Sequence, residues 1–280
     1  MNDSELRSFI LRAFAEDTGE GDHSSLSCIS PDLTGHARLL IKEEGILAGI
    51  DVAAETFRIA DASLSTELLL KDGDHVRYGN IALIVEGRVQ SILRAERLVL
   101  NIMQRMSGIA TATSMYVSEV KGTRARITDT RKTTPGMRFL EKEAVRIGGG
   151  VNHRMGLYDM IMLKDNHIDY AGGISKAITR TRKYLKEKNL SLKIEVEARN
   201  LKEVKEILET GGIDRIMLDN FTIPDTREAV KIIGNAAETE SSGGITLKNV
   251  RDYALCGVDF ISIGALTHHI KSLDMSLKAF

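Results

Sequence analysis

The chain has 280 residues, a formal net charge of −1, 42% hydrophobic and 28% charged residues, no Trp and two Cys. That length holds one large domain or two modest ones, and the near-neutral charge with few aromatics excludes a dedicated nucleic-acid binder, which needs a basic face or stacking rings. No apolar run reaches membrane-spanning length, and Cys28 and Cys256 have neither metal nor redox spacing, so a cytoplasmic protein is expected.

In chain order, Leu6, Phe9, Ile10, Ala13 and Phe14 fall on one face of a helix. Strand-like pieces follow at 37–41, 46–48, 65–70 and 81–86, separated by turn clusters such as Asp72-Gly73-Asp74 and Tyr78-Gly79-Asn80. They predict a small antiparallel sheet with helices on one side. A long helix is expected from Ser91 to about Val120. Beyond it strand and helix alternate, with strands at 125–129, 159–163, 193–197, 214–218, 235–240 and 259–263. Helices are expected from Asn200 to Gly211, from Pro224 to Gly234, and from a Thr246 cap to Gly257. The strand-end residues Glu197, Asp219, Glu240 and Gly264 recur at intervals of 22, 21 and 24 residues, a short βα period that implies a parallel sheet.

Polar residues directly follow these apolar strand bodies, as they do at the carboxyl-end rim of a (β/α) barrel. A full eight-strand barrel takes about 250 residues and only about 160 are available, so an incomplete barrel is predicted, with a doubly wound open sheet as the alternative. The domains expected are an N-terminal unit at 1–107, a barrel at 108–270 and a tail at 271–280 that packs back on the first.

Arg131, Lys132, His153, Arg154 and Lys164 lie in turn-like segments among Gly and Thr, rather than around a solvated helix. Such a cluster suits a compact, multiply charged anion, because arginine matches carboxylate or phosphate bidentately and lysine acts as a point charge. Asp129 and Asp165 are read either as groups orienting Arg131 and Lys164 or as plain caps. Ser241-Ser242-Gly243-Gly244-Ile245-Thr246 and Gly264-Ala265-Leu266-Thr267-His268 are candidate phosphate loops. Glu197 and Asp219 suit Mg²⁺, sugar hydroxyls or salt bridges to lysines. The histidines lack zinc spacing.

These motifs resemble the quinolinate phosphoribosyltransferase family nearly end to end. The resemblance rests on Glu16-Asp17-x-Gly19-x-Gly21-Asp22, Glu96-Arg97-x-x-Leu100-Asn101, Ser107-Gly108-Ile109-Ala110-Thr111, Thr128-Asp129-Thr130-Arg131-Lys132-Thr133, Gly148-Gly149-Gly150-x-Asn152-His153-Arg154-x-Gly156-Leu157, Lys164-Asp165-Asn166-His167, Glu195-Val196-Glu197, Leu218-Asp219-Asn220, Ser242-Gly243-Gly244-Ile245 and Gly257-Val258-Asp259. It implies an N-terminal α/β sandwich domain plus an incomplete C-terminal α/β barrel, in a homodimer whose active sites are shared between subunits. It also implies a reaction: quinolinate and phosphoribosyl pyrophosphate give nicotinate mononucleotide, pyrophosphate and carbon dioxide, with Mg²⁺. By matching motif positions, Arg131, His153, Arg154 and Lys164, with Arg97 of the partner, hold the pyridine dicarboxylate. Lys132, Glu197, Asp219, Asn220, Ser242, Gly243, Gly244, Gly264 and His268 hold the phosphoribosyl group. The resemblance gives Glu197 and Asp219 the metal, and makes them catalytic together with Lys132 and Lys164. Leu98 departs from the Thr that many relatives carry after the Arg. Two rivals remain: a lyase forming a Schiff base at Lys164, and a homologue with an altered substrate or no catalysis.

Overall fold

A computed structural model describes residues 3–280. Two compact units divide the chain. In the first, α1 (Asp3–Thr18) turns the predicted stripe inward, burying Leu6 and Ile10. The side chain of Asp22 caps α2 (His23–Cys28) by accepting from the Ser25 N–H. Next come β1 (Thr34–Ile41), β2 (Gly45–Ile46), α3 (Ile50–Ala60), β3 (Ser65–Leu68), β4 (His75–Val76), β5 (Ile81–Arg88) and the long α4 (Val89–Glu119). The helix α3 was not legible in the sequence. It opens on Gly49 in a left-handed conformation with no side-chain cap, so the usual start signal is missing. It still buries Phe57 and Ala53 against Leu39, Leu83 and Val85 of the sheet and Val99 and Met103 of α4.

The second half begins with β6 (Arg126–Thr128), followed by α5 (Arg138–Ile147), β7 (Ile161–Leu163), α6 (Asp165–Ala171), α7 (Ile174–Lys188), β8 (Ile194–Ala198), α8 (Leu201–Thr210), β9 (Arg215–Asp219), α9 (Ile223–Ile233), β10 (Glu238–Ser242), α10 (Val250–Ala254), β11 (Phe260–Ser262), α11 (Ala265–His268) and β12 (Met275–Ala279). The strand order is β6-β11-β10-β9-β8-β7, all parallel. Successive strands are neighbours, the last pairs with the first, and Val151 adds a parallel bridge to Thr128 on the other side of β6. A doubly wound sheet reverses its order midway; this one closes on itself except between Val151 and β7. It is an incomplete barrel.

The unit boundaries differ from the sequence expectation of 1–107, 108–270 and 271–280. The first unit runs to Ser114 and also takes Thr133–Gly149 and Leu266–Phe280. The reason is local packing. In α5, Glu141 is fully buried and pairs with Arg105 of α4, and Phe139 meets the Phe9 ring edge-on. In the tail, β12 pairs antiparallel with β1, Leu39 opposite Leu277, giving the sheet order β12-β1-β5-β3. The segment from Thr246 also differs: instead of a helix capped by Thr246, a turn leads to the five-residue α10, and Asn249 accepts the Thr246 N–H. In β10 the strand runs two residues further than predicted, so Ser241 and Ser242 belong to the strand itself.

Candidate active site

Side chains alternate across a strand. On β8 this puts Glu195 and Glu197 on one face, on β9 Arg215, Met217 and Asp219, and on β10 Glu238, Glu240 and Ser242. Their contacts show that this face is the barrel interior. The Arg215 guanidinium lies 3.7 Å from the Phe260 ring centre and donates to Glu240 at 2.7 Å, while Arg126 covers the same ring at 4.3 Å. Arg126, Arg215 and Phe260 open their strands and Glu240 is the middle residue of β10; Lys164, Glu197, Asp219 and Ser242 stand toward the carboxyl ends.

The cationic set is built on two short segments. After β6, the fully buried Asp129 accepts the backbone N–H of His153 at 2.9 Å, and the Thr130 hydroxyl accepts that of Lys132 at 3.0 Å. Asp129 therefore ties the Arg131 and Arg154 segments together through the backbone. Arg154 donates to the Met160 carbonyl at 3.1 Å and has no carboxylate partner among the described residues. Burial and the nearby Arg131 lower its pKa. The buried Nε of Arg131 has no hydrogen-bond partner among them either. Two guanidinium groups within electrostatic reach of each other suit an anion.

Beyond β7, the Lys164 N–H donates to His167 Nδ1 at 3.0 Å, and Asp165 offers its backbone N–H to the Glu197 carboxylate. Burial and Asp219 raise the pKa of Glu197, with the Lys164 charge acting the other way. Lys164 thus stands where the cationic and acidic halves of the rim meet. Asp219 accepts the Asn220 side-chain amide at 2.8 Å. Asn220 is left-handed, with φ 55°, and its N–H reaches the Ser242 carbonyl at 2.8 Å. A Cβ at Gly243, φ 91°, would collide with that Asn220 amide, whereas Gly244 faces open space. Gly264 directly follows β11.

The second unit therefore brings Arg131, Lys132, His153, Arg154, Lys164, Glu197, Asp219, Asn220, Ser242, Gly243, Gly244 and Gly264 onto strand carboxyl ends and the loops after them. Arg97, exposed on α4, and His268 of α11 fall in the first unit.

Sequence reasoning missed the charges beneath the rim. His153 Nε2 lies 2.9 Å from Glu195 and 3.4 Å from Glu240. Burial pushes His153 down, but the two carboxylates outweigh it and raise it to about 9. Burial and Glu240 raise Glu195; burial also pushes Glu240 up, yet His153 and Arg215 hold it below its usual range. The Arg154 N–H donates to His153 Nδ1 at 2.7 Å, which opposes a second ring proton. The ligand atoms of His153, Glu195 and Glu240 lie within 4.8 Å of one another, close enough for a metal ion, but the protein's own guanidinium and imidazole already take the carboxylates' charge. The available signal was a charged residue at alternate positions of strands that a parallel barrel buries on both faces.

An α/β enzyme that handles a small, multiply anionic substrate next to an acidic pair is the class that this fold and rim define. Residues 22–107 match the quinolinate phosphoribosyl transferase N-terminal domain, and residues 109–278 match the C-terminal domain. The chain is 47% identical to the nicotinate-nucleotide pyrophosphorylase (carboxylating), chloroplastic, of Arabidopsis thaliana, over 98% of this chain and 82% of the relative. It is 42% identical to the probable nicotinate-nucleotide pyrophosphorylase (carboxylating) of Bacillus subtilis, over 99% and 94%. The crystal structure of NadC from Streptococcus pyogenes superposes with a TM-score of 0.94 at 36% identity, covering 100% of this chain and 99% of that one. The chain belongs to the quinolinate phosphoribosyl transferase family.

Proposed function

We propose that this chain transfers phosphoribosyl from phosphoribosyl pyrophosphate to quinolinate with decarboxylation, yielding nicotinate mononucleotide, pyrophosphate and carbon dioxide for NAD biosynthesis. The observation that carries the substrate assignment is the Arg131–Arg154 pair. Among the described residues neither guanidinium is ion-paired to a carboxylate, and Arg154 lies within electrostatic reach of Arg131 as well as of Glu195 and Asp159. Quinolinate is a small flat dianion that cannot be buried without such partners.

In this reading Arg131, Arg154 and Lys164 bind the two carboxylates, with His153 fixing the Arg154 backbone. They point the ring nitrogen at the sugar C1, a gain from proximity. The nitrogen lone pair forms the bond to C1 as pyrophosphate leaves with the bonding electrons. Lys132 stabilises the leaving group, and the Glu197–Asp219 pair faces the positive charge developing on the ribose. Asn220, Ser242, Gly243, Gly244 and Gly264 hold the phosphoribosyl group. The positive ring stabilises the carbanion left on the carbon beside nitrogen as carbon dioxide departs, and a proton from water then completes that C–H bond, so no general base is required.

Glu197 and Asp219 also fit Mg²⁺: they are hard oxygen donors, and burial together with the Asp219 charge raises Glu197. Bound there, Mg²⁺ would neutralise the pyrophosphate oxygens. Arg97 completes the site from a second copy of the chain. Free Cys28 and Cys256 support a reducing, cytoplasmic setting, and no described helix is long and apolar enough to cross a membrane.

The decisive assay offers the purified protein quinolinate or nicotinate with phosphoribosyl pyrophosphate and Mg²⁺. Nicotinate mononucleotide and pyrophosphate are expected from quinolinate alone. Turnover of nicotinate, or no pyrophosphate, would sink the reading and favour an altered substrate. Borohydride trapping of a carbonyl substrate on Lys164 would instead favour the lyase. Mixing Arg97→Ala with Lys132→Ala subunits should restore activity, since one site per heterodimer is then whole; without recovery, the shared site is wrong.

A further inference from the structure

Glu195 and Glu240 are fully buried on neighbouring interior positions of β8 and β10, below the rim. Neither is among the residues that meet substrate in the function proposed above. Buried carboxylates without partners are costly, so their retention asks for a reason. Glu240 has one partner in Arg215, itself stacked on Phe260. Glu195 has no comparable bond: neither of its oxygens finds a well-directed hydrogen bond among the described residues, the Arg215 charge acts on it without an ion pair, and His153 Nε2 lies 2.9 Å away. The other ring nitrogen of His153 accepts the Arg154 amide at 2.7 Å. A continuous line thus runs from the barrel floor to the anion receptor: Phe260 and Arg215, Glu240 and Glu195, the His153 ring, the Arg154 backbone, and the Arg154 guanidinium beside Arg131.

We propose that Glu195, supported by Glu240, is a positioning residue for the dicarboxylate half of the site: it holds the His153 ring by Nε2, and the ring in turn fixes Arg154 beside Arg131. The role rests on the quinolinate reading. It also accounts for a buried acid directly beneath the histidine that fixes Arg154. Deleting the acceptor frees the ring to rotate, Arg154 loses its fixed amide, and the paired guanidinium groups drift apart. Misplacement of that size costs roughly tenfold to hundredfold in binding or turnover. The phosphoribosyl half, built on Glu197, Asp219 and the Gly243–Gly244 loop, keeps its own supports.

The test compares Glu195→Leu, which removes the acceptor, with Glu195→Gln, which keeps an acceptor oxygen for Nε2–H and an amide that can donate to Glu240. Steady-state kinetics are run with each substrate varied, alone and in a His153→Asn background. Glu195→Leu should raise KM for quinolinate about tenfold or more while KM for phosphoribosyl pyrophosphate stays within about twofold. Glu195→Gln should recover most of the affinity. In the His153→Asn background neither substitution should add a further effect. An unchanged quinolinate KM, an equal rise in both KM values, or an undiminished effect in the His153→Asn background would overturn the proposal. If Glu195→Leu fails to fold, the cycle is closed with Glu195→Ala, whose rise in quinolinate KM must likewise vanish with His153 replaced. Wild-type protein that turns over quinolinate while the variants stay normal rejects this role alone; wild-type protein that does not use quinolinate rejects the function beneath it.

Discussion

Charges in the first unit and at the rim of the second are handled in opposite ways. In the first, opposite charges are matched: Asp61 receives the Ser63 N–H at 2.9 Å, the Ser91 hydroxyl at 2.7 Å and the Arg88 guanidinium at 2.6 Å, and the buried Glu141 takes Arg105 at 2.6 Å. At the barrel rim like stands next to like, Arg131 by Arg154 and Glu197 by Asp219. Matched charges stabilise the fold they sit in. Adjacent like charges cost stability and persist where a ligand supplies the missing counter-charge, so the difference separates scaffold from site without reference to any motif.

The sharpest way to break that comparison is to remove a rim cation. Arg131→Ala or Arg154→Ala should weaken quinolinate binding on the order of a hundredfold, because a bidentate charge-assisted pair is lost. The thermal midpoint should hold or rise slightly, since a repulsion disappears with the side chain. Calorimetric titration and a thermal melt on the same sample check both halves. Normal affinity, or a large drop in midpoint, would place these arginines with the scaffold.

The matched pair should answer in the reverse sense. Glu141→Gln leaves the Arg105 guanidinium partly buried without its carboxylate, at a cost of about 3 kcal/mol in unfolding free energy. Denaturant melts report it. Arg105 also donates to Thr134 and to the Thr267 carbonyl, and the Thr134 N–H reaches Glu141, so a modest fall in turnover is compatible with loosening the segment after Lys132. A stability loss below about 0.5 kcal/mol would mean the pair is no better than a surface salt bridge.

The same contrast explains what the sequence disclosed. The βα intervals ending at Glu197, Asp219, Glu240 and Gly264 carry the parallel strands, because each strand needs an apolar body and each connecting helix a stop. Arg131, Lys132, Arg154 and Lys164 stood out because they interrupt Gly- and Thr-rich turns. The helices α3, α6 and α7 did not stand out: Gly49 opens α3 and Gly173 opens α7 with no side-chain cap. Nothing local placed α5 with the first unit, since Arg105 and Glu141 lie 36 positions apart. Nor did Glu195, Arg215 and Glu240 look like partners, because β8, β9 and β10 meet only once the barrel has formed. Local chemistry was legible; charge pairing across strands was not.

The smallest effect tests whether a matched carboxylate behaves as one across pH. Hydrogen bonds from Ser91 and Ser63 and the Arg88 guanidinium outweigh burial and hold Asp61 well below its ordinary value of 3.8. A folded-state pKa below the unfolded one gives stability that is complete above the unfolded value and lost as pH falls through the folded one. Asp61→Asn should therefore cost about 1–2 kcal/mol at neutral pH, discounted for the exposed Arg88, with the gap to wild type flat down to about pH 5. By about pH 3 the gap should narrow, because the unfolded wild type by then binds a proton that the folded one refuses. Urea melts at these pH values decide it. A gap that stays constant into acid would mean that the shape of the Asp61 turn, rather than its charge, secures the junction between α3 and β3, and the line drawn between scaffold charges and site charges would need another basis.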